Sequence, residues 1–231
     1  MNEFRKKLTD YFRQQGELYS SEYFFDEMPG ILRSRPDDSP TSERFLSDFH
    51  QLDEEAKKCI ACELAQTRKH VVFGDGNPNT SLLFIGEAPG ENEDLQGKPF
   101  VGRAGKLLDD LLKEIGLNRT HVYIANIIKC RPPGNRQPVP IEVNACIQFL
   151  LRQIELIQPR LIVCLGLVAA KSLLKLDLPL NRMRNQVFNF QSVDTMVTYH
   201  PAAILRNINL MDVAREDFEK IKQIYHEKSG S

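Results

Sequence analysis

From Leu82 onward, apolar positions fall into two alternating kinds of grouping. Short runs occur at Leu82–Ile85 and Leu161–Leu165, each followed by glycine, and at Val122–Ile128, which contains Asn126. Their length and β-branched content predict buried strands. Between them, apolar residues recur every three to four positions. Residues 104–115 place Leu107, Leu108, Leu111, Leu112 and Ile115 on one face, and Pro140–Ile157 does the same with Val143, Ile147, Leu150, Ile154 and Ile157. A further helix is predicted at 167–174. Residues 186–190 and 195–199 then read as a hairpin or an edge strand beside a core strand, and Met211, Ala214, Phe218, Ile221 and Tyr225 mark a closing helix. Strands alternating with helices predict an α/β fold, a three-layer α/β/α sandwich around a mainly parallel central sheet.

The first 42 residues break this rhythm. Residues 3–16 read as a short charged helix and Gly30–Ser42 as a polar, proline-marked linker. A helix at about 43–56, capped by Thr41 or Ser42, opens the regular pattern. The chain therefore divides into an N-terminal helical extension with its linker (1–42) and one domain (43–231). Tyr19, Tyr23, Phe24 and Phe25 in the acidic stretch before the linker are expected to pack on that domain rather than dock a partner.

In a parallel α/β sheet the site lies beyond the carboxyl ends of the strands. That rule selects Gly86, Glu87, Ala88, Pro89 and Gly90 after the first strand, Asn126, Lys129 and Cys130 around the end of the second, and His200 and Pro201 after the last.

Composition excludes several classes of function. With 42% hydrophobic and 26% charged residues the chain is an ordinary globular sequence, and no apolar run reaches membrane-spanning length. Residues 1–10 lack the apolar stretch of a secretory signal, so no membrane partner and a cytoplasmic location are expected. The net charge of −1 conceals an asymmetry: Glu17–Lys58 holds 11 acids against 5 bases, while the remainder from Cys59 is net positive. Its basic residues gather in Gly/Pro/Asn-rich stretches: Lys129, Arg131 and Arg136 in KCRPPGNRQP, Arg182 and Arg184 in NRMRN, and Arg206 in HPAAILRN. Several arginine-bearing loops suggest phosphate contacts, although a solvated surface is as good a reading of each alone.

Cys59 and Cys62 form a Cys-x2-Cys pair, and Cys130 and Cys146 follow far downstream. In a reducing compartment this pattern favours a four-thiolate metal site over disulfides. The residues admit zinc and an iron–sulfur cluster equally. Because the ligands bracket the first predicted strand and its loop, the site is a clasp on the middle of the domain. Cys164, in the apolar run LIVCLG, reads as a buried free thiol.

GEAPGENEDLQGKPFVG at 86–102, YIANIIKCRPP at 123–133 and HPAAILRN at 200–207, together with the four cysteines, closely resemble the family-4 uracil-DNA glycosylases. These are the iron–sulfur branch of the uracil-DNA glycosylase superfamily. The resemblance covers about Lys58 to the C-terminal helix and leaves residues 1–42 outside. It implies a [4Fe-4S] cluster on Cys59, Cys62, Cys130 and Cys146, with a structural role. It also implies hydrolysis of the N-glycosidic bond of uracil in single- or double-stranded DNA, leaving an abasic site. A monomer is expected.

The same resemblance assigns the pocket. Gly86, Glu87 and Ala88 line it, Phe100 stacks on the base and Asn126 reads its edge. His200 faces uracil O2 and stabilises the departing base. Glu87 orients the attacking water or shapes the pocket near uracil C5. Ile204 and Leu205 resemble a wedge that fills the vacated stack, with Arg131, Arg136, Arg184 and Arg206 contacting DNA. Glu91, Glu93 and Asp94 are expected to be solvated. Since no lysine stands in these motifs as a Schiff-base nucleophile, hydrolysis without strand cleavage is expected. The competing readings are a non-catalytic or base-trapping relative with the same pocket, and a zinc-clasped nucleotide-binding module.

Overall fold

A computed structural model describes residues 43–229. The expectations for residues 1–42, including both proposed caps at Thr41 and Ser42, lie outside the described residues. The described residues begin with α1 (Glu43–Lys57), pass a 3-10 turn at Glu63–Gln66 and enter a short strand β1 (Asp75–Gly76). There follow β2 (Leu82–Gly86), α2 (Glu91–Gln96), α3 (Arg103–Glu114), β3 (Tyr123–Asn126) and α4 (Pro140–Ile157). The second half comprises β4 (Leu161–Leu165), α5 (Leu167–Leu174), α6 (Leu180–Met183), β5 (Phe188–Phe190), β6 (Val193–Thr198), α7 (Pro201–Arg206) and α8 (Met211–Ser229).

The six strands form one sheet in the order β1-β3-β2-β4-β6-β5. The four central strands are parallel, while β1 pairs antiparallel with β3 and β5 forms an antiparallel hairpin with β6. Every residue of β2, β3 and β4 is buried. Continuous apolar runs of this kind are what a parallel sheet covered on both faces demands.

Alternate side chains of these strands enter different cores, as the period-2 geometry of a strand requires. Leu83, Ile85, Ala125, Ile162, Cys164 and Val197 pack with α1, α4 and α5. Leu82, Phe84, Ile124, Leu161, Val163 and Met196 pack with α3 and α8. The three-layer sandwich follows directly. Cys164, wholly buried, points into the first core, and burial alone pushes its thiol up to about 12.

Three short helices had no periodic signal. α2 reads ENEDLQ, without an apolar face, and is fixed by a one-sided cap in which the Glu93 carboxylate accepts from the Gly90 amide at 3.1 Å. α7 starts at Pro201 directly after His200, and α6 is a single turn. The expected strand at 122–128 is shorter, because after Asn126 the chain leaves the ladder. The amides of Ile127 and Ile128 instead donate to the carbonyls of Gly86 and Glu87. These bonds zip together the two loops that leave the carboxyl ends of β2 and β3.

Candidate active site

Parallel register sets Gly86, the last residue of β2, against Asn126, the last residue of β3. Asn126 is 1% exposed, and its Oδ1 is buried without a hydrogen-bond partner. An orphaned buried acceptor costs about 1–3 kcal/mol, so its presence at a strand end points to a ligand that donates to it. Across from it lies the ring of Phe100. A methyl group on Gly86 would sit 2.4 Å from Asn126 Oδ1 and 2.7 Å from Phe100 Cζ, so only glycine leaves the three groups this close.

Phe100 holds a left-handed backbone with φ 54°, an uncommon state for a bulky residue. Its ring lies 5.5 Å from that of His200, the planes inclined by 31°. His200 follows β6 and caps α7, its Nδ1 accepting from the Ala202 amide at 3.1 Å. The remaining proton of a neutral ring must then sit on Nε2. Burial, reinforced by the nearby Arg206 guanidinium, pulls the ring down to about 4, so His200 is a neutral Nε2–H donor at pH 7. Gly166, at φ 92° after β4, brings a second close approach, since a Cβ there would lie 2.9 Å from His200 Cβ. Sequence reasoning did not select Gly166, and its placement right after an apolar strand was the available signal.

Glu87, the residue after Gly86, is half-buried. Burial raises its carboxyl above the ordinary range, and Arg206 works in the opposite direction. Ala88 packs against the core beside it. The carboxyl ends of the strands thus bring together the Phe100 ring, the Asn126 amide with its unsatisfied acceptor and the neutral His200 imidazole, with Glu87 following Gly86 in the chain.

The acidic residues beyond Glu87 are not all solvated. Glu91 is exposed, but Asp94 is 3% exposed and accepts from the amides of Lys69 and His70 at 2.9 and 3.3 Å. Glu93 accepts from Val101 and Gly102 as well as Gly90. The spacing of Gly90 and Glu93 is that of a helix cap, which was the missed signal.

Several basic residues are also not where a DNA-facing surface needs them. Arg184 is 9% exposed and forms two 2.8 Å bonds to the buried Asp217, with Tyr199 stacked against its guanidinium at 4.8 Å. Asp217 also accepts from Thr198 Oγ1 at 2.6 Å, so this ion pair anchors the end of β6 immediately before His200. Arg136 grips the buried Glu142 through two nitrogens, closing the start of α4. Lys129 is 1% exposed, its ammonium donating to the Asn126 carbonyl and to Gln153, and burial draws it down to about 8. Ile204 is fully buried in the α3–α8 core and does not reach a partner. Leu205 and Ile208 are 47% and 66% exposed beside the exposed Arg206. Arg131 is mostly enclosed, bonding Asn135 and lying 3.7 Å from Glu91.

On the other side of the Lys129 segment, all four clasp cysteines line one cavity with Arg68 and Phe149. Among the described residues no three or more His, Cys, Asp or Glu side chains are placed so as to hold a metal ion. Three nitrogens nevertheless approach the sulfurs: Arg68 Nη1 to Cys130 at 3.4 Å, the Lys129 amide to Cys146 at 3.2 Å and the Ala61 amide to Cys59 at 3.5 Å. Burial raises the Cys130 thiol and pushes Cys146 up to about 12. Thiolates in such surroundings need a cationic core, and a set of four soft donors with N–H···S contacts suits a metal–sulfur group.

The chain is thus an α/β protein whose parallel sheet gathers Gly86, Asn126, Phe100 and His200 at its carboxyl edge, where ligands of such sheets bind. The uracil DNA glycosylase superfamily model matches residues 73–224, and the chain belongs to that superfamily. It is 44% identical over 191 residues to the type-4 uracil-DNA glycosylase of Archaeoglobus fulgidus, covering 79% of this chain and 96% of that protein. The type-4 enzyme of Thermotoga maritima is 45% identical over 175 residues, 74% of this chain and 91% of the relative. A type-5 uracil-DNA glycosylase of Pyrobaculum aerophilum is more distant, at 29% over 136 residues and 58% of each chain.

Proposed function

We infer that this protein is a uracil-DNA glycosylase of DNA repair, hydrolysing the bond between uracil and deoxyribose. The observation that carries the reading is the buried, unpartnered Oδ1 of Asn126 facing Phe100 across Gly86. Uracil N3–H supplies the missing donor, and uracil O4 accepts from the same side-chain amide. Cytosine offers a bare nitrogen and an amino group there, turning both contacts into mismatches worth about 1–3 kcal/mol each. The flipped base stacks on Phe100.

Cleavage leaves negative charge on the uracil ring and oxocarbenium character on the sugar. Neutral His200 donates Nε2–H to uracil O2, a bond that strengthens as that oxygen becomes anionic. Glu87 orients the water that adds to C1′, and the abasic strand is left intact. Leu205 fills the gap in a duplex, with Arg206 on the phosphates. Arg136, Arg184 and Ile204 have no part in this reading, being engaged within the protein.

Cys59, Cys62, Cys130 and Cys146 would hold a [4Fe-4S] cluster. When bound it supplies a rigid cross-link between the segment after α1, the β3 loop and α4, which hydrolysis does not need for electrons. The protein acts as a cytoplasmic monomer, with residues 1–42 as an appendage to the glycosylase domain.

An oligonucleotide with a single uracil tests the function. Abasic product revealed by alkaline cleavage is expected, and binding without turnover would indicate a non-catalytic relative. In Asn126→Asp, uracil excision should fall by about 10-fold or more; an unchanged rate removes Asn126 from base reading. Stoichiometric iron and sulfide in anaerobically purified protein test the cluster, and zinc in their place would refute it.

A further inference from the structure

Phe100 carries the stacking ring, yet its backbone conformation is one that bulky residues avoid, and such strain persists only where the surroundings over-determine it. The surroundings do so from both sides of a single peptide unit. Arg119 Nη2 donates to the Phe100 carbonyl, and its Nη1 donates to the Pro99 carbonyl at 3.1 Å. On the N–H side of the same unit, Glu93 Oε1 accepts from the Val101 amide at 2.9 Å and from the Gly102 amide at 2.9 Å. A cation thus holds the oxygen of the Phe100–Val101 peptide and an anion holds its N–H. Turning that peptide over would face carbonyl to carboxylate and N–H to guanidinium.

Each clamp is itself fixed. Arg119 is backed by Asp75 at 3.0 Å and Asp109 at 2.8 Å, residues far apart in the chain. Glu93 spends its second oxygen on the Gly90 amide, which ties the β2 loop to the Phe100 loop. Gly105 completes the seat, since a Cβ there would lie 1.7 Å from the Phe100 carbonyl oxygen. The hydrogen bonds go to backbone, so they hold the Phe100 main chain whatever side chain that position carries.

We propose that Glu93 and Arg119 are positioning residues for uracil excision, clamping the Phe100–Val101 peptide so that the Phe100 ring stands at stacking distance from Asn126 and His200. The proposal rests on the uracil-excision reading above. Neither residue touches the base.

The test compares Glu93→Gln and Arg119→Lys with wild type. Gln offers one acceptor oxygen where three amides need two, and Lys cannot span both carbonyls and two carboxylates. Single-turnover excision at saturating single-stranded uracil oligonucleotide should fall by about 10- to 100-fold in each. Inhibition by free uracil should weaken to a similar degree. Affinity for an abasic-site oligonucleotide, which has no base to stack, should stay within about twofold, and thermal midpoints should show both variants folded at the assay temperature. If both effects arise through one peptide, the double variant loses less than the product of the two single losses. Unchanged excision in a folded variant overturns the proposal. So does a loss matched by an equal loss of abasic-site affinity, which marks a general structural role. Wild-type protein without activity would defeat the excision reading itself, a separate outcome.

Discussion

Replacing Gly86 with alanine probes the close approach of Gly86, Asn126 and Phe100. The added methyl would lie 2.4 Å from Asn126 Oδ1, 2.7 Å from Phe100 Cζ and 2.8 Å from Phe100 Cε2. Comfortable carbon contacts are about 3.5–4.0 Å, so the ring contacts are short by roughly 1 Å. Gly86 lies in the extended strand β2, and the perturbation is therefore steric rather than conformational. Overpacking of this size costs about 1–3 kcal/mol. The free protein relieves it by swinging the Phe100 ring away or tilting the Asn126 amide, but a bound base needs both groups in place. Most of the cost then falls on the complex, and kcat/KM for a uracil oligonucleotide should drop about 5- to 150-fold at 1.4 kcal/mol per factor of ten. The assay is single-turnover excision over a range of enzyme concentrations, with thermal unfolding of the same preparation alongside. Wild-type kcat/KM in Gly86→Ala would mean that the base does not enter between Asn126 and Phe100. A loss fully accounted for by unfolded protein would refute the argument equally.

Four further outcomes follow from the geometry. With His200 drawn down to about 4, excision should show no inflection near pH 6.5, and a rate falling through that range would indicate a protonation-sensitive imidazole. The same shift makes the unfolded chain take up a proton at His200 before the folded one does. That contribution to stability is complete above about pH 6.5, declines as pH falls towards 4 and is constant below; denaturant titrations of wild type and His200→Gln at pH 7 and 5 measure it. Asp217→Ala strands Arg184 in the core and should destabilise by about 3–5 kcal/mol in chemical denaturation, whereas weaker DNA binding at full stability would return Arg184 to the DNA surface. Cys59→Ala should lower bound iron, thermal midpoint and excision together, and loss of turnover alone at normal stability would contradict a bracing role.

The layers of the fold were legible because burial dictated them. α4, β4 and α5 have the bounds expected from sequence, the helices packing apolar residues on the sheet and β4 being a continuous apolar run buried on both faces. The failures share a physical cause: charge was equated with exposure. ENEDLQ has no apolar face, yet α2 stands because Glu93 and Asp94 satisfy backbone amides. Arg184 and Lys129 sit in polar-looking stretches but are buried with their partners, and those partners are distant in sequence. Ile204 was read as a projecting wedge when it is the inward residue of α7, leaving its neighbour Leu205 outside. The site was legible as a residue list at strand ends. Its register, the β2–β3 pairing that sets Gly86 against Asn126, depends on tertiary structure and was not.

The sheet's two borders bear on how the protein behaves in company. Its parallel centre is closed on one side by β1, two residues long, and on the other by the three-residue β5. Strand edges recruit other chains in proportion to the length of unpaired backbone they display. These display almost none, so the sheet offers no template for intermolecular pairing. Among the described residues the longer strands β2, β3, β4 and β6 lie inside the sheet, so neighbouring copies meet only its two short edges.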